Sequence, residues 1–134
     1  MERTFLSPKD LAQAIGVSES SLKRWTDEGR LSARRTAGGH RRIELAEAVR
    51  FIRESRVPLL RPEKLGFPEL RGRTPMESTA LAEALFDALV DDQARSARGL
   101  ILSAFLDGAS LAAICDGPIR AAMLRVGDLW RHSE

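Results

Sequence analysis

The run Arg34-Arg35-Thr36-Ala37-Gly38-Gly39-His40-Arg41-Arg42 concentrates more reactive polarity than any other part of the chain. Four arginines, a threonine and a histidine surround a Gly-Gly pair. Guanidinium forks match phosphate oxygens in both charge and geometry, so the run points to a nucleic-acid backbone. Gly-Gly is a two-residue hairpin signal, because both glycines can take positive φ without steric cost. A solvated basic loop would have the same composition. The residues just before the run favour the hairpin.

Two short helices are expected ahead of it. Ser7 reads as an N-cap with Pro8 at the first helical position. Leu11, Ala12 and Ile15 follow at helical spacing, and Gly16 stops the helix. Ser18 is a second N-cap candidate. Leu22 and Trp25, three apart, face inward on the helix it opens, and Gly29 ends that helix. Two helices joined by a tight turn make a helix-turn-helix, whose second helix enters the major groove. Its outward face offers Ser20, Ser21, Lys23, Arg24 and Asp27.

These elements assign candidate contacts to double-stranded DNA. Lys23 and Arg24 are placed at base edges or phosphates. Ser18, Ser20 and Ser21 are placed at phosphates near the helix N-terminus, where free N–H groups favour anions. In the hairpin, Arg34, Arg35 and Arg41 are the expected phosphate contacts, assisted by Thr36 and His40. His40 either joins them or donates to a backbone carbonyl and fixes the turn. Arg42 is read as turning back toward Glu44 or Glu47.

After the hairpin, Glu44 begins a third helix with Leu45, Ala48, Val49 and Ile52 as its buried stripe. Residues 57–75 carry Pro58, Pro62, Pro68, Pro75, Gly66 and Gly72, which break any regular helix. Leu59, Leu60, Leu65, Phe67 and Leu70 keep this linker apolar, which predicts partial packing and one short helix at 62–65. From residue 76 onward the pattern is helical. One helix is expected over 79–90 and another over 93–106, with Asp92 capping the latter. A last helix capped by Ser110 is interrupted at Gly117-Pro118. Cys115 reads as a small packed residue and Trp130 as an aromatic sealing the bundle, helped by Met123 and Val126.

The chain has 134 residues and a net charge of +2. That balance is uneven: residues 1–66 hold 14 Lys/Arg against 9 Asp/Glu, and residues 67–134 hold 7 against 10. A basic first half and an acidic second half fit a nucleic-acid-facing domain joined to something else. No apolar run approaches the roughly 18 residues of a membrane span. The N-terminus lacks the apolar core of a secretory signal. The single cysteine cannot form an intrachain disulfide, which makes a cytoplasmic location the expectation. One Cys and two distant His leave no metal-ligand cluster, and no catalytic constellation is visible. The chain reads as a non-enzyme.

Two family resemblances follow from these motifs. Leu11-Ala12, Val17-Ser18, Leu22-Lys23-Arg24-Trp25, Gly29-Arg30-Leu31 and the run from Arg35 to Arg42 resemble the DNA-binding domain of MerR-type regulators, in the excisionase-like branch. This resemblance covers about residues 4–54. Asp107-Gly108-Ala109-Ser110-Leu111, Asp116-Gly117-Pro118-Ile119 and Met123-Leu124-Arg125-Val126-Gly127-Asp128-Leu129-Trp130 resemble the helical cap of cobalamin-binding modules. That cap normally has four helices and precedes a cobalamin domain. In light-sensing MerR-type repressors of the CarH kind, the matching tryptophan packs over the upper axial ligand of cobalamin, and Glu-His follows ten residues later. The resemblance implies that role for Trp130, with the Glu-His pair and the axial-histidine domain falling beyond Glu134.

The expected fold is mostly α: a winged helix-turn-helix with a short β-hairpin, then a partial helical bundle, three helices of four. The expected division is 1–56 for DNA binding, 57–75 as linker and 76–134 for sensing and homo-oligomerisation. The expected function is a sequence-specific transcriptional regulator, controlled by adenosyl- or methylcobalamin or light in a longer protein. No cofactor is expected for these residues alone. The alternatives are an excisionase-like architectural DNA-binding protein without a ligand, and a protein-interaction module with secondary DNA contact.

Arg35→Ala is expected to weaken binding to every duplex and to reduce the salt slope by about 0.9. Anisotropy titrations across a salt series read both. Unchanged affinity would remove Arg35 from the interface.

Overall fold

The computed structural model describes residues 5–132. The chain divides into two compact units, Met1–Arg71 and Gly72–Glu134. Together they are mostly helical, with a winged helix-turn-helix first and a helical bundle second.

In the first unit, strand β1 (Phe5–Leu6) leads into α1 (Pro8–Ile15) and α2 (Glu19–Asp27). The Ser7 Oγ accepts the Asp10 N–H at 3.1 Å, and the Ser18 Oγ accepts the Ser21 N–H at 3.1 Å. Both caps satisfy N–H groups that a helix start leaves without intrahelical partners. Between the helices Gly16 sits at φ 75°. That left-handed conformation is what the turn needs glycine for; a Cβ there would also displace the tip of the exposed Leu60 side chain.

Strands β2 (Arg34–Arg35) and β3 (Arg41–Glu44) form the wing, and α3 (Leu45–Ser55) follows directly, with Glu44 at its N-cap position. The sheet order is β1-β3-β2, all antiparallel, with Leu6 opposite Ile43. β1 is a strand the sequence did not announce, since two residues are too few to display a period of two. Leu6, Leu11, Ile15, Leu22, Leu31, Ile43, Ala48 and Ile52 form the buried interior of this unit.

The buried stripe of α3 differs from expectation. Phe51 is buried beside Ala48 and Ile52, whereas Leu45 and Val49 are half-buried. The aromatic contact explains the rotation: the Trp25 ring lies 5.4 Å from that of Phe51. The expected linker is also more ordered than its prolines suggested. Leu60 and Arg61 both donate N–H groups to the Ala14 carbonyl, at 2.8 and 2.9 Å. Short 3₁₀ turns at Pro62–Leu65 and Pro68–Leu70 bury Pro62, Leu65 and Leu70. Residues 57–71 therefore fall within the first unit.

The second unit consists of α4 (Ser78–Val90), α5 (Ala94–Leu106), α6 (Leu111–Ile114), a π-helical turn (Cys115–Ile119) and α7 (Arg120–His132). Its core joins Leu81, Leu85 and Ala88 of α4 to Ala97 of α5 and Ala122 of α7. Phe86, Leu100, Ile101, Ala104 and Ile119 pack against that cluster. Pro118 has no N–H to give the preceding turn, and the helix widens there instead of ending. The Arg120 N–H reaches the Cys115 carbonyl, five residues back.

Three expectations change here. Cys115 is exposed because Ile114, Pro118 and Ala122 take the inward positions at four-residue intervals. Asp92 does not cap α5: it takes a left-handed conformation at φ 56°, and Gln93 precedes the helix without a side-chain cap. Trp130 does not seal the bundle, being 78% exposed, with Met123 exposed on the same helix.

Glu47 of α3 ties the first unit together. Its Oε2 accepts the Ser32 N–H at 2.8 Å, and the Arg50 guanidinium grips both carboxylate oxygens at 2.6 Å. Arg50 also reaches the Arg30 carbonyl and pairs with Glu54. The Arg50 hydrogen bonds hold the Glu47 carboxyl below the usual carboxylate range, with the Ser32 N–H acting in the same direction. A carboxyl whose pKa falls on folding contributes stability above its unfolded value and loses it as pH drops through the folded one. Glu47→Gln should cost about 1 kcal/mol at pH 7, with the deficit shrinking in acid. Urea denaturation at neutral pH and near pH 3 measures it. An equal deficit at both would assign the effect to side-chain shape.

Candidate nucleic-acid interface

The exposed face of α2 is built around its buried one. Leu22 is fully buried, and Trp25 is half-buried against Phe51, with the Arg30 guanidinium 5.4 Å from its ring. Those contacts turn Ser20, Lys23, Arg24 and Asp27 outward, all exposed. Ser18 is exposed at the helix start, and its hydroxyl donates to the Ser21 Oγ at 2.9 Å, leaving Ser21 half-buried. Lys23 pairs with Glu19 at 3.5 Å and Arg24 with Glu28 at 3.8 Å, one turn away in each case. Exposed pairs of this kind contribute only a few tenths of a kcal/mol. Both cations are therefore readily exchanged from carboxylate to phosphate.

The tip of the wing is tighter than Gly-Gly alone predicts. Thr36 closes it three times. Its carbonyl accepts the Gly39 N–H at 2.9 Å, its N–H donates to the His40 carbonyl at 2.8 Å, and its Oγ1 accepts the His40 N–H at 3.2 Å. The loop is thus three residues, Ala37-Gly38-Gly39, and only Gly39 takes positive φ, at 81°. This corrects the two-residue turn expected from the dipeptide. A three-residue hairpin needs a single left-handed residue at its third position. Gly38 has no positive φ, and a Cβ there would meet the exposed His40 ring at ordinary contact distance, 3.4 Å.

The strand register sorts the wing's arginines. Arg34 lies opposite Arg42, and Arg35 opposite Arg41. Arg34 pairs with Glu44 at 3.0 Å, both exposed. Arg41 reaches across to α2 and bonds the Asp27 carboxylate at 3.0 Å. Arg35 makes only a marginal contact, 3.5 Å to the Gly39 carbonyl. Arg42 is exposed and has no carboxylate partner among the described residues.

Sequence reasoning assigned Arg42 to Glu44 or Glu47. The structure gives those carboxylates to Arg34 and Arg50. Strand alternation carried the signal, because Arg42 and Glu44 share a face with Arg34 through the observed register. The joint presentation that results comprises Ser18, Ser20, Lys23 and Arg24 from α2 and Arg34, Arg35, Thr36, His40 and Arg42 from the wing, all exposed in one unit.

The second unit presents a different surface. Met123, Gly127 and Trp130 lie along one side of α7, and a Cβ built on Gly127 would meet nothing within 4 Å. Leu124 and Leu129 are exposed on the same helix. Among the described residues, no group of three or more His, Cys, Asp or Glu could hold a metal ion, and no helix is long and apolar enough to cross a membrane.

No curated protein and no solved structure matches the chain. Two family models do, one within each unit: residues 5–56 match the helix-turn-helix domain, and residues 81–134 match the B12 binding domain.

Proposed function

We propose that the chain is a sequence-specific DNA-binding transcriptional regulator of the bacterial cytoplasm, with α2 in the major groove and the wing on the flanking backbone. The observation that carries this reading is the joint exposure of Lys23 and Arg24 on α2 with Arg34, Arg35 and Arg42 on the wing. The match of residues 5–56 to a helix-turn-helix domain supports it. On this reading residues 1–56 bind DNA, residues 57–75 connect, and residues 76–134 sense and oligomerise. Selecting a duplex from a randomised pool tests it. Arg24→Ala should then relax the preference at one position of the selected site, by about 1–3 kcal/mol of discrimination. Failure of the wild type to enrich any motif would overturn the reading, and a uniform loss in the variant would move Arg24 to a phosphate.

Cobalamin is the effector we propose, in a MerR-type regulator responding to the cofactor or to light. The match of residues 81–134 to a B12 binding domain supports this. The residues of α7 fit such a group. Met123 and Trp130 flank the open surface over Gly127, giving an uncovered apolar stripe on which a corrin can lie. When bound, an alkylcobalamin supplies a light-cleavable cobalt–carbon bond. Trp130 would cover a face of the group and exclude water from it.

A single winged domain contacts one half-site, so a specific operator calls for at least two copies. Apart from the stripe over Gly127, Leu89, Val90, Leu111, Leu124 and Leu129 are all exposed in the second unit. Apolar surface of this extent is what self-association would cover. Sedimentation at micromolar concentration should show a dimer or larger species. A clean monomer would refute self-association through residues 76–134.

A further inference from the structure

The wing carries an electrostatic conflict that its surroundings resolve unevenly. Two arginine–arginine pairs face each other across β2 and β3, and like charges directly opposite are destabilising. Each pair is relieved by one carboxylate. Glu44 takes Arg34 on one face, and Asp27 takes Arg41 on the other. The two relieving contacts differ in kind. The Arg34 side chain is 74% exposed, and its pair lies within the wing's own sheet. The Arg41 side chain is only 18% exposed, and its partner is the last residue of α2. Water competes less for the Arg41 guanidinium than for that of Arg34, although the Asp27 carboxylate is itself exposed.

We infer that Asp27 and Arg41 form a brace that sets the wing's angle on the recognition helix, and that Arg35 and Arg42 are the wing residues that bind phosphate. This rests on the DNA-binding reading above and deepens it. Arg35 and Arg42 lie on opposite faces of the hairpin by strand alternation. One uncompensated cation on each face suits a ribbon lying against a duplex, where phosphates pass on both sides. Arg41 is a positioning residue: its charge is spent on Asp27, and its effect on DNA runs through the wing's orientation.

Asp27 is 62% exposed on the face turned toward DNA. By charge alone, Asp27→Asn removes a repulsive anion and should tighten binding. With the brace, it should weaken binding about fivefold, the size of one ordinary hydrogen bond, because the contact is partly open to water. Asp27→Glu, which restores the carboxylate, should recover most of that loss. Salt titrations separate the arginines. Arg42→Ala should weaken binding and lower the salt slope by about 0.9, whereas Arg41→Ala should weaken it with the slope unchanged. The double variant Asp27→Asn with Arg41→Ala should bind no more weakly than the single Arg41→Ala, since the brace is already lost and only the repulsion of Asp27 is left to remove.

All variants are compared in the full chain by anisotropy, with circular dichroism confirming the fold. Wild-type or tighter binding by Asp27→Asn, or equal slope losses for Arg41→Ala and Arg42→Ala, would overturn the brace while leaving DNA binding intact. Absence of duplex binding by the wild type would overturn the functional reading instead.

Discussion

Among the residues of β2 and β3, Ile43 alone is fully buried, and its burial sets the register of the wing. A slip of one residue would drive Arg42 or Glu44 into the interior and lift Ile43 into water. Neither charge would find a partner there, so the slipped forms are strongly disfavoured. From that one anchored side chain the rest follows by alternation. Arg42 and Glu44 flank Ile43 on the other face, and Arg41 points back along the anchored face toward α2. β1 adds to the constraint by pairing Leu6 with Ile43 along the strand's second edge. A four-residue strand thus holds a cationic ribbon in place with very little apolar surface of its own.

The second unit solves a different problem. Alanines and glycine line its interior contacts: Ala82, Ala88, Ala97, Gly99 and Ala122 are buried. Small side chains let helices approach closely but contribute little apolar area each. The larger apolar residues of α7 point away from that interior, so the unit keeps unspent apolar surface on its outside. The widened turn at Cys115–Ile119 lets a proline sit within a nearly continuous helical stretch without ending it.

Local signals in the sequence carried much of this architecture. Ser7-Pro8, Gly16 and Ser18 marked helix boundaries because caps and left-handed stops act within a few residues. The wing's position followed from its basic run. The pairing of its charges did not, because that depends on which carboxylates the fold brings near. Asp27 lies in a different element from Arg41, and no local pattern links them. Phe51 was missed in α3 because the helical period admits neighbouring stripes, and only the Trp25 ring selects between them. Prolines and glycines across the expected linker, 57–75, forbid regular helix, yet the 3₁₀ turns and the backbone bonds to α1 within it need no regularity. The π turn at Cys115–Ile119 shifts the facing of the helix after it, a phase change that a constant 3.6-residue period cannot register, and Trp130 lies exposed on that helix.

The Ala14 carbonyl, which receives two amides from Leu60 and Arg61, also bears on the order in which the molecule is assembled. A ribosome releases the chain from its N-terminus, so the helix that offers this acceptor emerges well before the segment that fills it. Until then the end of α1 lacks the strap that covers its turn, and the nascent unit is incomplete although both of its first helices already exist. Residues 57–71 are thus what completes the backbone hydrogen bonding at the end of α1.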